Sequence, residues 1–457
     1  MLFHSTRGKD SHKSFRQIAI QGLASDGGLY VPDYWPEIDL DQVKNCKTYA
    51  EVAKLVLPAF ADGSYEEAEI TSMVDEIWQG FPSKELVQFR EFNNFTAAEL
   101  FHGPTAAFKD FGLQMVSFFL HRILKENNQN GVILGATSGD TGSAAIHACK
   151  GYSNIKTFIL LPEGNMSEIQ RRQMSTVVQD NVFAIKVNGS FDDCQDIVKQ
   201  AFKTDKFLPD NFTLLAINSI NWLRIIAQIC YYFFVYASLK TMKPLCFSVP
   251  SGNFGNVFSA YSAYKMGLPI KEICVAVNSN DILHRFFSAN DYSKQQTIST
   301  ISPSMDISVA SNFERLVYDY YLDRDANKCN ELFTKFNSNK FELSNHIFEK
   351  KKNLFSSRAV SDSETIDIIK SIYNEYGYIF DPHSAIACKR ALEKSDFHVI
   401  AMATAHPSKF PKLFSELNIT ISHKHKSLLD IQNKDEQIFF LPCNYQEIKD
   451  FINFSLL

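Results

Sequence analysis

The sequence predicts an α/β protein with parallel sheets that helices cover on both faces. From about residue 86 onward, short apolar runs alternate with amphipathic helical windows, and glycine-rich turns follow two of the runs. The apolar runs span residues 132–134, 157–161, 182–185, 245–249 and 273–277. The helical windows between them include residues 143–150, 191–202 and 254–266. Ligands of such sheets bind where the carboxyl ends of strands turn into helices.

The N-terminal part is predicted to be a separate helical unit. A chain of 457 residues is too long for one simple core, so two or three domains are expected. Apolar residues recur at helical spacing in 14–23, 49–60 and 66–78, and Phe81-Pro82-Ser83 is a plausible boundary. Residues 327–352 are charged and Asn-rich and suggest a helical insert or surface excursion, and the last forty or so suggest a helical tail.

Composition argues against several classes of protein. A formal net charge of −5 lacks the basic surplus of a nucleic-acid-binding protein. The most apolar stretch, residues 225–239, is shorter than the ~20 residues of a membrane span and favours a buried helix. Nine Cys without a C-x-x-C pair argue against a disulfide scaffold or a metal site. Without an apolar N-terminal segment, a cytoplasmic protein with reduced thiols is expected.

Lys109 is the first candidate functional residue. It lies in the segment His102-Gly103-Pro104-Thr105-Ala106-Ala107-Phe108-Lys109-Asp110-Phe111-Gly112. A Lys that begins a helical stretch is usually solvated. An amine attacks an aldehyde only when it is neutral, however, and burial beside Phe108 and Phe111 would lower its pKa. Two glycine-rich turns elsewhere in the chain favour the functional interpretation.

The second segment is Ser251-Gly252-Asn253-Phe254-Gly255-Asn256, after an apolar run and before a helical window. Glycines allow consecutive N–H groups to point inward, and a helix N-terminus adds its positive end. This pattern suits a phosphate monoester, although a strand-to-helix turn without a ligand remains an alternative. The Lys-Ser/Thr end of a P-loop is missing, which makes nucleotide binding the weaker alternative.

The third segment is Thr137-Ser138-Gly139-Asp140-Thr141-Gly142, where a strand also turns into a helix. Ser138, Gly139 and Thr141 could supply hydroxyl and N–H donors to a substrate carboxylate. Asp140 or Thr141 could instead be an ordinary helix N-cap. A reactive amine with two such turns is what an enzyme needs to hold a phosphorylated aldehyde cofactor and an amino acid.

In this order the three segments resemble those of the threonine synthases of the long bacterial and fungal type. These are pyridoxal-phosphate enzymes of the tryptophan-synthase-β-like fold. The resemblance extends from Ser5-Thr6-Arg7-Gly8 and Gly22-Leu23-Ala24-Ser25-Asp26-Gly27-Gly28-Leu29 to Thr404-Ala405-His406-Pro407. It implies two parallel-sheet αβα domains (fold type II) after an N-terminal unit. The expected domains are 1–82, a large cofactor-binding domain of 83–125 with 205–415, a smaller mobile domain of 126–204, and a tail of 416–457.

The resemblance also implies roles for single residues. Lys109 would carry pyridoxal 5'-phosphate and act as the catalytic base, and Thr404 would serve the ring nitrogen of the cofactor. Asp140 would contact the cofactor where related enzymes often have Asn, and Asn221 and Arg224 would bind substrate. The residues expected to bind the cofactor phosphate are Gly252, Asn253, Phe254, Gly255 and Asn256. Taken alone, Arg224 and Thr404 have structural alternatives, and His383 and His406 favour structural roles.

The activity that this resemblance implies is conversion of O-phospho-L-homoserine and water to L-threonine and phosphate. This is a carbon–oxygen lyase reaction, the last step of threonine biosynthesis. A related phospholyase, releasing a 2-oxo acid, ammonia and phosphate, would use the same residues and remains an alternative, as does a non-catalytic relative. The expected partner is this small-molecule substrate, with neither nucleic acid nor membrane, in a monomer or homodimer.

Overall fold

The computed structural model describes residues 1–137, 139–164, 166–203, 207–239, 241–336, 340–350, 353–394 and 396–456. The strands are β1 (Phe3–Ser5), β2 (Tyr30–Pro32), β3 (Gln88–Glu91), β4 (Phe95–Glu99), β5 (Asn130–Ala136), β6 (Ile155–Pro162), β7 (Val182–Asn188), β8 (Phe212–Leu215), β9 (Leu245–Pro250), β10 (Ile270–Val277), β11 (Tyr292–Ser293), β12 (Lys340–Phe341), β13 (Phe355–Ala359), β14 (His398–Ala403) and β15 (Phe439–Pro442).

The α-helices are α1 (Phe15–Gln21), α2 (Leu40–Asn45), α3 (Tyr49–Ala61), α4 (Glu67–Ile77), α5 (Lys109–Glu126), α6 (Asp140–Cys149), α7 (Glu168–Ser175), α8 (Phe191–Lys203), α9 (Trp222–Ser238), α10 (Gly255–Lys265), α11 (Ile282–Ala289), α12 (Phe313–Leu316), α13 (Ala326–Lys335), α14 (Asn345–Lys350), α15 (Asp362–Tyr376), α16 (Pro382–Ala391), α17 (Pro411–Glu416), α18 (Lys426–Asp430) and α19 (Tyr445–Ser455). Short 3-10 turns occur at Pro303–Met305 and Pro407–Lys409, and a π-helical turn occurs at Val317–Tyr321.

The larger sheet has six strands in the order β13-β10-β9-β14-β4-β3. All neighbours are parallel except β3, which runs antiparallel to β4 at the edge. Strands β9, β14 and β4 lie side by side, so the segments that follow their carboxyl ends meet at one edge. The predicted α/β class with parallel sheets is confirmed.

The smaller sheet has five parallel strands in the order β15-β7-β6-β5-β8. The pairing of β8 with β5 places residues 212–215 in this sheet, although the sequence grouped them with the large domain from residue 205. The expected helical tail likewise contains β15, which pairs with β7. These strands join the smaller sheet because their apolar residues pack into its core with α8 and α19. The domain boundaries themselves stay a prediction.

Helices α1, α3 and α4 match the three predicted N-terminal helices to within a few residues. Capping boxes begin two of them: Ser14 pairs with Gln17 ahead of α1, and Thr48 pairs with Glu51 ahead of α3. The apolar stretch predicted as a buried helix is α9, whose residues from Trp222 to Val235 are buried in the main core.

Residues 327–352 include more than the expected helical insert. Helix α13 is followed by β12, which pairs antiparallel with β11, and then by α14. Residues 337–339 and 351–352 lie outside the described part of the chain. No helix within the described ranges has both the length and the apolar character needed to cross a membrane.

Candidate active site

One inner cavity lies at the carboxyl ends of β4, β5, β9 and β14. Lys109 begins α5, Asp140 begins α6, Gly255 begins α10, and Thr404 follows β14. These four residues line the cavity together. Three helices of eight or more residues therefore present their N-termini to a single space, which favours an anionic ligand.

Lys109 reaches the cavity from the first turn of α5. Its Nζ lies 3.2 Å from Oδ2 of Asp140. The preceding turn is tight, because Ala106 adopts the left-handed conformation with a φ of 56°. Burial lowers the pKa of Lys109, while the opposite charge of Asp140 acts in the other direction. A neutral amine, which attack on an aldehyde requires, is thereby easier to reach.

Asp140 is buried and its carboxylate accepts from several side chains. Besides Lys109, Oδ2 receives the hydroxyl of Ser304 at 3.1 Å. The other oxygen, Oδ1, receives Nε2 of Gln170 at 3.0 Å and Nζ of Lys409 at 2.7 Å. Burial alone would raise the pKa of Asp140, but the charges of Lys409 and Lys109 hold it well below its usual range. Asp140 is therefore ionised. It is not the N-cap of α6, because that position is Gly139 and Asp140 is the first residue of the helix.

The turn between β9 and α10 holds the second anion-binding element. Phe254 adopts the left-handed conformation with a φ of 64°, and α10 begins at the next residue. The first N–H groups of a helix have no intrahelical partner. A Cβ on Gly252 would lie 3.1 Å from Cα of Met305, and one on Gly255 would lie 3.3 Å from Nδ2 of Asn312. Glycine at both positions therefore permits close packing of this turn against neighbouring loops.

Three buried side-chain donors at the inner cavity have no hydrogen-bond partner within the described part of the chain. They are Oγ of Ser251, Nδ2 of Asn256 and Nε of Arg224. The carboxamide oxygen of Asn256 accepts from the hydroxyls of Tyr231 and Tyr232, which leaves its NH₂ group for a ligand. Buried donors are normally paired. An anion with several oxygens, such as a phosphate, would satisfy all three.

Arg224 is buried on the first turn of α9. Within the described part of the chain, its guanidinium makes one hydrogen bond, from Nη1 to the carbonyl of Ile217 at 3.3 Å. Burial lowers the pKa of Arg224 to about 10. A desolvated guanidinium without a carboxylate in contact is a counter-ion for an incoming anion.

Thr404 lies at the floor of the cavity, and its backbone is fixed. Its N–H donates to Oγ of Ser384 at 2.8 Å, and its carbonyl accepts from the N–H of Phe108 at 2.9 Å. The second bond joins the end of β14 to the residue before Lys109. The Thr404 side chain therefore has a set position relative to the lysine.

A wider outer cleft of about 490 Å³ adjoins the inner cavity and runs between the two sheets. Thr141 lines both spaces, as do Lys109 and Asp140. Phe191, Val198 and other residues of α8 form part of the outer wall. A substrate in this cleft would meet Lys109 at its inner end.

Two predicted substrate contacts, Asn221 and Gly139, already use polar groups in local hydrogen bonds. Asn221 is the N-cap of α9: its Oδ1 accepts from the N–H of Leu223, and its Nδ2 donates to the carbonyl of Ala19 at 3.0 Å. Both ends of this amide are already used, so it is not free for substrate. The N–H of Gly139 donates to Oγ1 of Thr137. Ser138 lies outside the described residues.

Four residues at the site were missed by sequence reasoning as functional candidates. They are Gln170, Ser304, His383 and Lys409. His383 lines the cavity, bonds to Asp381 through Nδ1 at 2.9 Å, and accepts the N–H of Ser304 through Nε2. The sequence favoured a structural role for His383, and Lys409 lies two residues beyond the segment Thr404–Pro407; neither spacing nor composition marks the contacts of these two residues.

Family models match two parts of the chain. Residues 85–330 match the model for pyridoxal-phosphate-dependent enzymes, and residues 2–78 match the model for the threonine synthase N terminus. The first match includes Lys109 and the glycine turns at residues 137–142 and 251–256, whereas Thr404 lies outside it. The chain is thus a member of the pyridoxal-phosphate-dependent enzyme class.

Relatives along the full chain narrow the class. The chain is 40% identical to a threonine synthase of Pseudomonas aeruginosa, with 99% of this chain and 98% of the relative aligned. It is 38% identical to one of Saccharomyces cerevisiae, with 90% and 87% covered. The structure matches a pyridoxal-phosphate-bound threonine synthase from Brucella melitensis with a TM-score of 0.95 at 36% identity, covering 100% and 99% of the chains. The chain belongs to the threonine synthase family.

Proposed function

We propose that this protein converts O-phospho-L-homoserine and water to L-threonine and phosphate. The observation that carries the proposal is the convergence of Lys109, Asp140, the turn of residues 252–256 and Thr404 on one cavity. Names and structures of relatives at 34–40% identity support the same activity. The cofactor is pyridoxal 5'-phosphate, as the matching family model and the Brucella melitensis structure indicate.

The residues of the cavity fit this cofactor. The unpaired donors of Ser251, Asn256 and Arg224 and the N-terminus of α10 would hold its phosphate. Thr404 would offer its hydroxyl to the ring nitrogen, and Lys109 would bind the aldehyde carbon. When bound, the cofactor supplies an electron sink for negative charge at the substrate Cα.

The position of Arg224 argues for a role other than the substrate binding expected from the sequence. Arg224 lines the inner cavity together with Asn256 and Gly255 and does not line the outer cleft, through which substrate would enter. We therefore propose that Arg224 holds the cofactor phosphate rather than the substrate phosphate. A charge-assisted fork there would also fix the orientation of the ring relative to Lys109.

Lys109 is the proposed general base and acid for the protons at Cα and Cβ. Its Nζ lies next to the Asp140 carboxylate, which would orient the amine and stabilise its ammonium form after it takes a proton. Ser304 also donates to Asp140, so the turn at Pro303–Met305 helps to fix that carboxylate. Thr141 remains the candidate for the substrate carboxylate, because it lies where the cleft meets the cavity.

Movement of the smaller domain would exclude water from the site until phosphate has left and water is to be added. We propose that this domain, formed around β5 to β8 and β15, closes over the substrate, since it contributes Asp140 and Gln170 to the boundary. Nine free Cys are consistent with the further proposal of a reducing, cytoplasmic location.

The decisive experiment counts products formed from O-phosphohomoserine. One threonine should form for each phosphate released. Equimolar 2-oxo acid and ammonia in place of threonine would identify a phospholyase, and absence of both products would contradict either activity.

Reduction of the loaded protein with borohydride tests the lysine assignment. Peptide mapping should place the pyridoxyl mass on Lys109, and Lys109→Ala should abolish turnover. The buried Lys409 is the matched internal control, because its Nζ contacts the same carboxylate. A pyridoxyl mass on Lys409 would refute the assignment.

A further inference from the structure

Two lysines share one buried carboxylate beside the reactive centre. Nζ of Lys109 lies 3.2 Å from Oδ2 of Asp140, and Nζ of Lys409 lies 2.7 Å from Oδ1. Asp140 is 5% exposed and Lys409 is fully buried. Removing charges from water is expensive unless they are paired, so the second lysine requires an explanation.

Lys409 is not one of the described residues that line the inner cavity. It ends the 3-10 turn Pro407–Lys409, a few residues after Thr404. Its Nζ also donates to the carbonyl of Thr105 at 3.0 Å, which fixes the ammonium between Asp140 and the loop ahead of Lys109. The two residues are thus unequal: Lys109 lines the cavity, while Lys409 lies behind the carboxylate.

The charges around Lys109 come from several elements. Asp140 of α6 favours its ammonium form, whereas Lys409 and Arg224 of α9 oppose it. His383 of α16 faces Asp140, and the charge of Lys409 also acts on the buried Asp110 of α5. With Lys409 paired to Asp140, one carboxylate serves two ammonium groups. The lysine that faces the cavity is the one that can release its proton to solvent or substrate.

We propose that Lys409 is a positioning residue that neutralises Asp140 and thereby allows the Lys109 amine to become neutral near physiological pH. This inference rests on the proposed function, in which Lys109 is the reactive amine. Lys409 does not touch substrate in this role; it acts through the carboxylate. Burial and the charge of Lys409 both lower the pKa of Lys109, which agrees with the geometry.

Removal of Lys409 gives a definite direction of change. In Lys409→Met, Asp140 would have Lys109 as its one remaining ammonium among the described contacts, and the ammonium form of Lys109 would be stabilised. The pH at which Lys109 becomes half neutral should rise by about one pH unit or more. Lys409→Arg keeps the positive charge and should shift this midpoint by less than about half as much.

The test measures Lys109 itself in the cofactor-free full-length protein. Trace labelling with isotopic acetic anhydride from pH 6 to 10, followed by mass spectrometry, gives the titration midpoint of the Lys109 amine. Lys412→Met is the matched control, because its side chain is 93% exposed in the next helix and should leave the midpoint unchanged. Circular dichroism confirms that each variant is folded.

An unchanged midpoint in folded Lys409→Met would overturn the proposal, and so would equal shifts in the Met and Arg variants. If the Met variant does not fold, Lys409→Gln retains an N–H donor for the Thr105 carbonyl and should show the same upward shift. The labelling is independent of turnover, so a failure of threonine formation would leave this result interpretable. In the loaded enzyme, the acid limb of the kcat profile should move in the same direction.

Discussion

The substitution Arg224→Met gives the sharpest test of how the cavity binds phosphate. Arg224 is 3% exposed, and its Nε has no hydrogen-bond partner within the described residues. Methionine fills a similar space without a charge. The variant should therefore lose affinity for a phosphate-bearing ligand while the apoprotein stays folded.

The expected magnitude follows from the burial of the guanidinium. Burial lowers the pKa of Arg224 to about 10, more than two pKa units below its usual value, and each pKa unit corresponds to about 1.36 kcal/mol. Burial thus disfavours the charged form by about 3 kcal/mol, so Arg224→Met should leave the free energy of unfolding of the apoprotein unchanged or raised. A hydrogen bond to a charged group contributes about 1.5–3 kcal/mol, which predicts a loss of affinity for pyridoxal phosphate of about 10- to 150-fold.

The assay compares titrations of pyridoxal phosphate and of pyridoxal into wild-type and variant apoprotein. The loss should appear with the phosphorylated compound and be much smaller without the phosphate. Arg224→Lys keeps the charge without the bidentate fork and should give an intermediate loss. A second pair, O-phosphohomoserine and an unphosphorylated amino acid, is titrated into the loaded variant.

Arg315→Met is the matched control for a buried arginine with a structural role. Its guanidinium donates to the carbonyls of Tyr30 and Ile220 and to Oδ1 of Asn312. Stranding three acceptors should lower the thermal midpoint clearly, in contrast to Arg224→Met.

Equal weakening of pyridoxal phosphate and pyridoxal would refute the phosphate role of Arg224. A selective loss of O-phosphohomoserine with unchanged cofactor affinity would return Arg224 to the substrate phosphate. A large fall in apoprotein stability would instead show that Arg224 has a structural function.

Three further predictions concern other parts of the molecule. Gly252→Val should weaken cofactor binding about 10-fold or more, because its Cβ would press on Met305, whereas Gly80→Ala, whose Cβ has ordinary contacts, should have no effect in the same titration. Thr404→Val should weaken cofactor retention by about 1 kcal/mol and slow exchange of the substrate Cα proton; normal cofactor spectra with full activity would contradict this role. Burial lowers the pKa of His147 to about 3. Below pH 6.5 the unfolded chain therefore binds a proton that the folded chain does not, and the free energy of unfolding decreases as the pH is lowered. In urea unfolding between pH 6.5 and 4, His147→Gln should reduce this slope by up to about 1.4 kcal/mol per pH unit, and parallel curves would argue against it.

The sequence by itself determined the α/β class and the local form of the site. The turn of residues 252–256 follows an apolar run and precedes a helical window, and Lys109 lies at the start of a helical stretch, so neighbouring residues identify both. Such patterns depend on hydrophobic periodicity and on the conformational freedom of glycine, both of which are local properties. The role of Thr404 came from the family resemblance. The family resemblance then joined these segments into one site.

Only the tertiary structure decided which groups face one another. Asn221 caps its own helix, Arg224 lies with the glycine turn, and Lys409 contacts both Asp140 and the carbonyl of Thr105, 304 positions away in the chain. These contacts arise because β9, β14 and β4 are neighbours in the sheet, an order set by crossover connections and packing rather than by nearby sequence. Charge pairing in a buried site depends on those distances, so the sequence alone could not assign it.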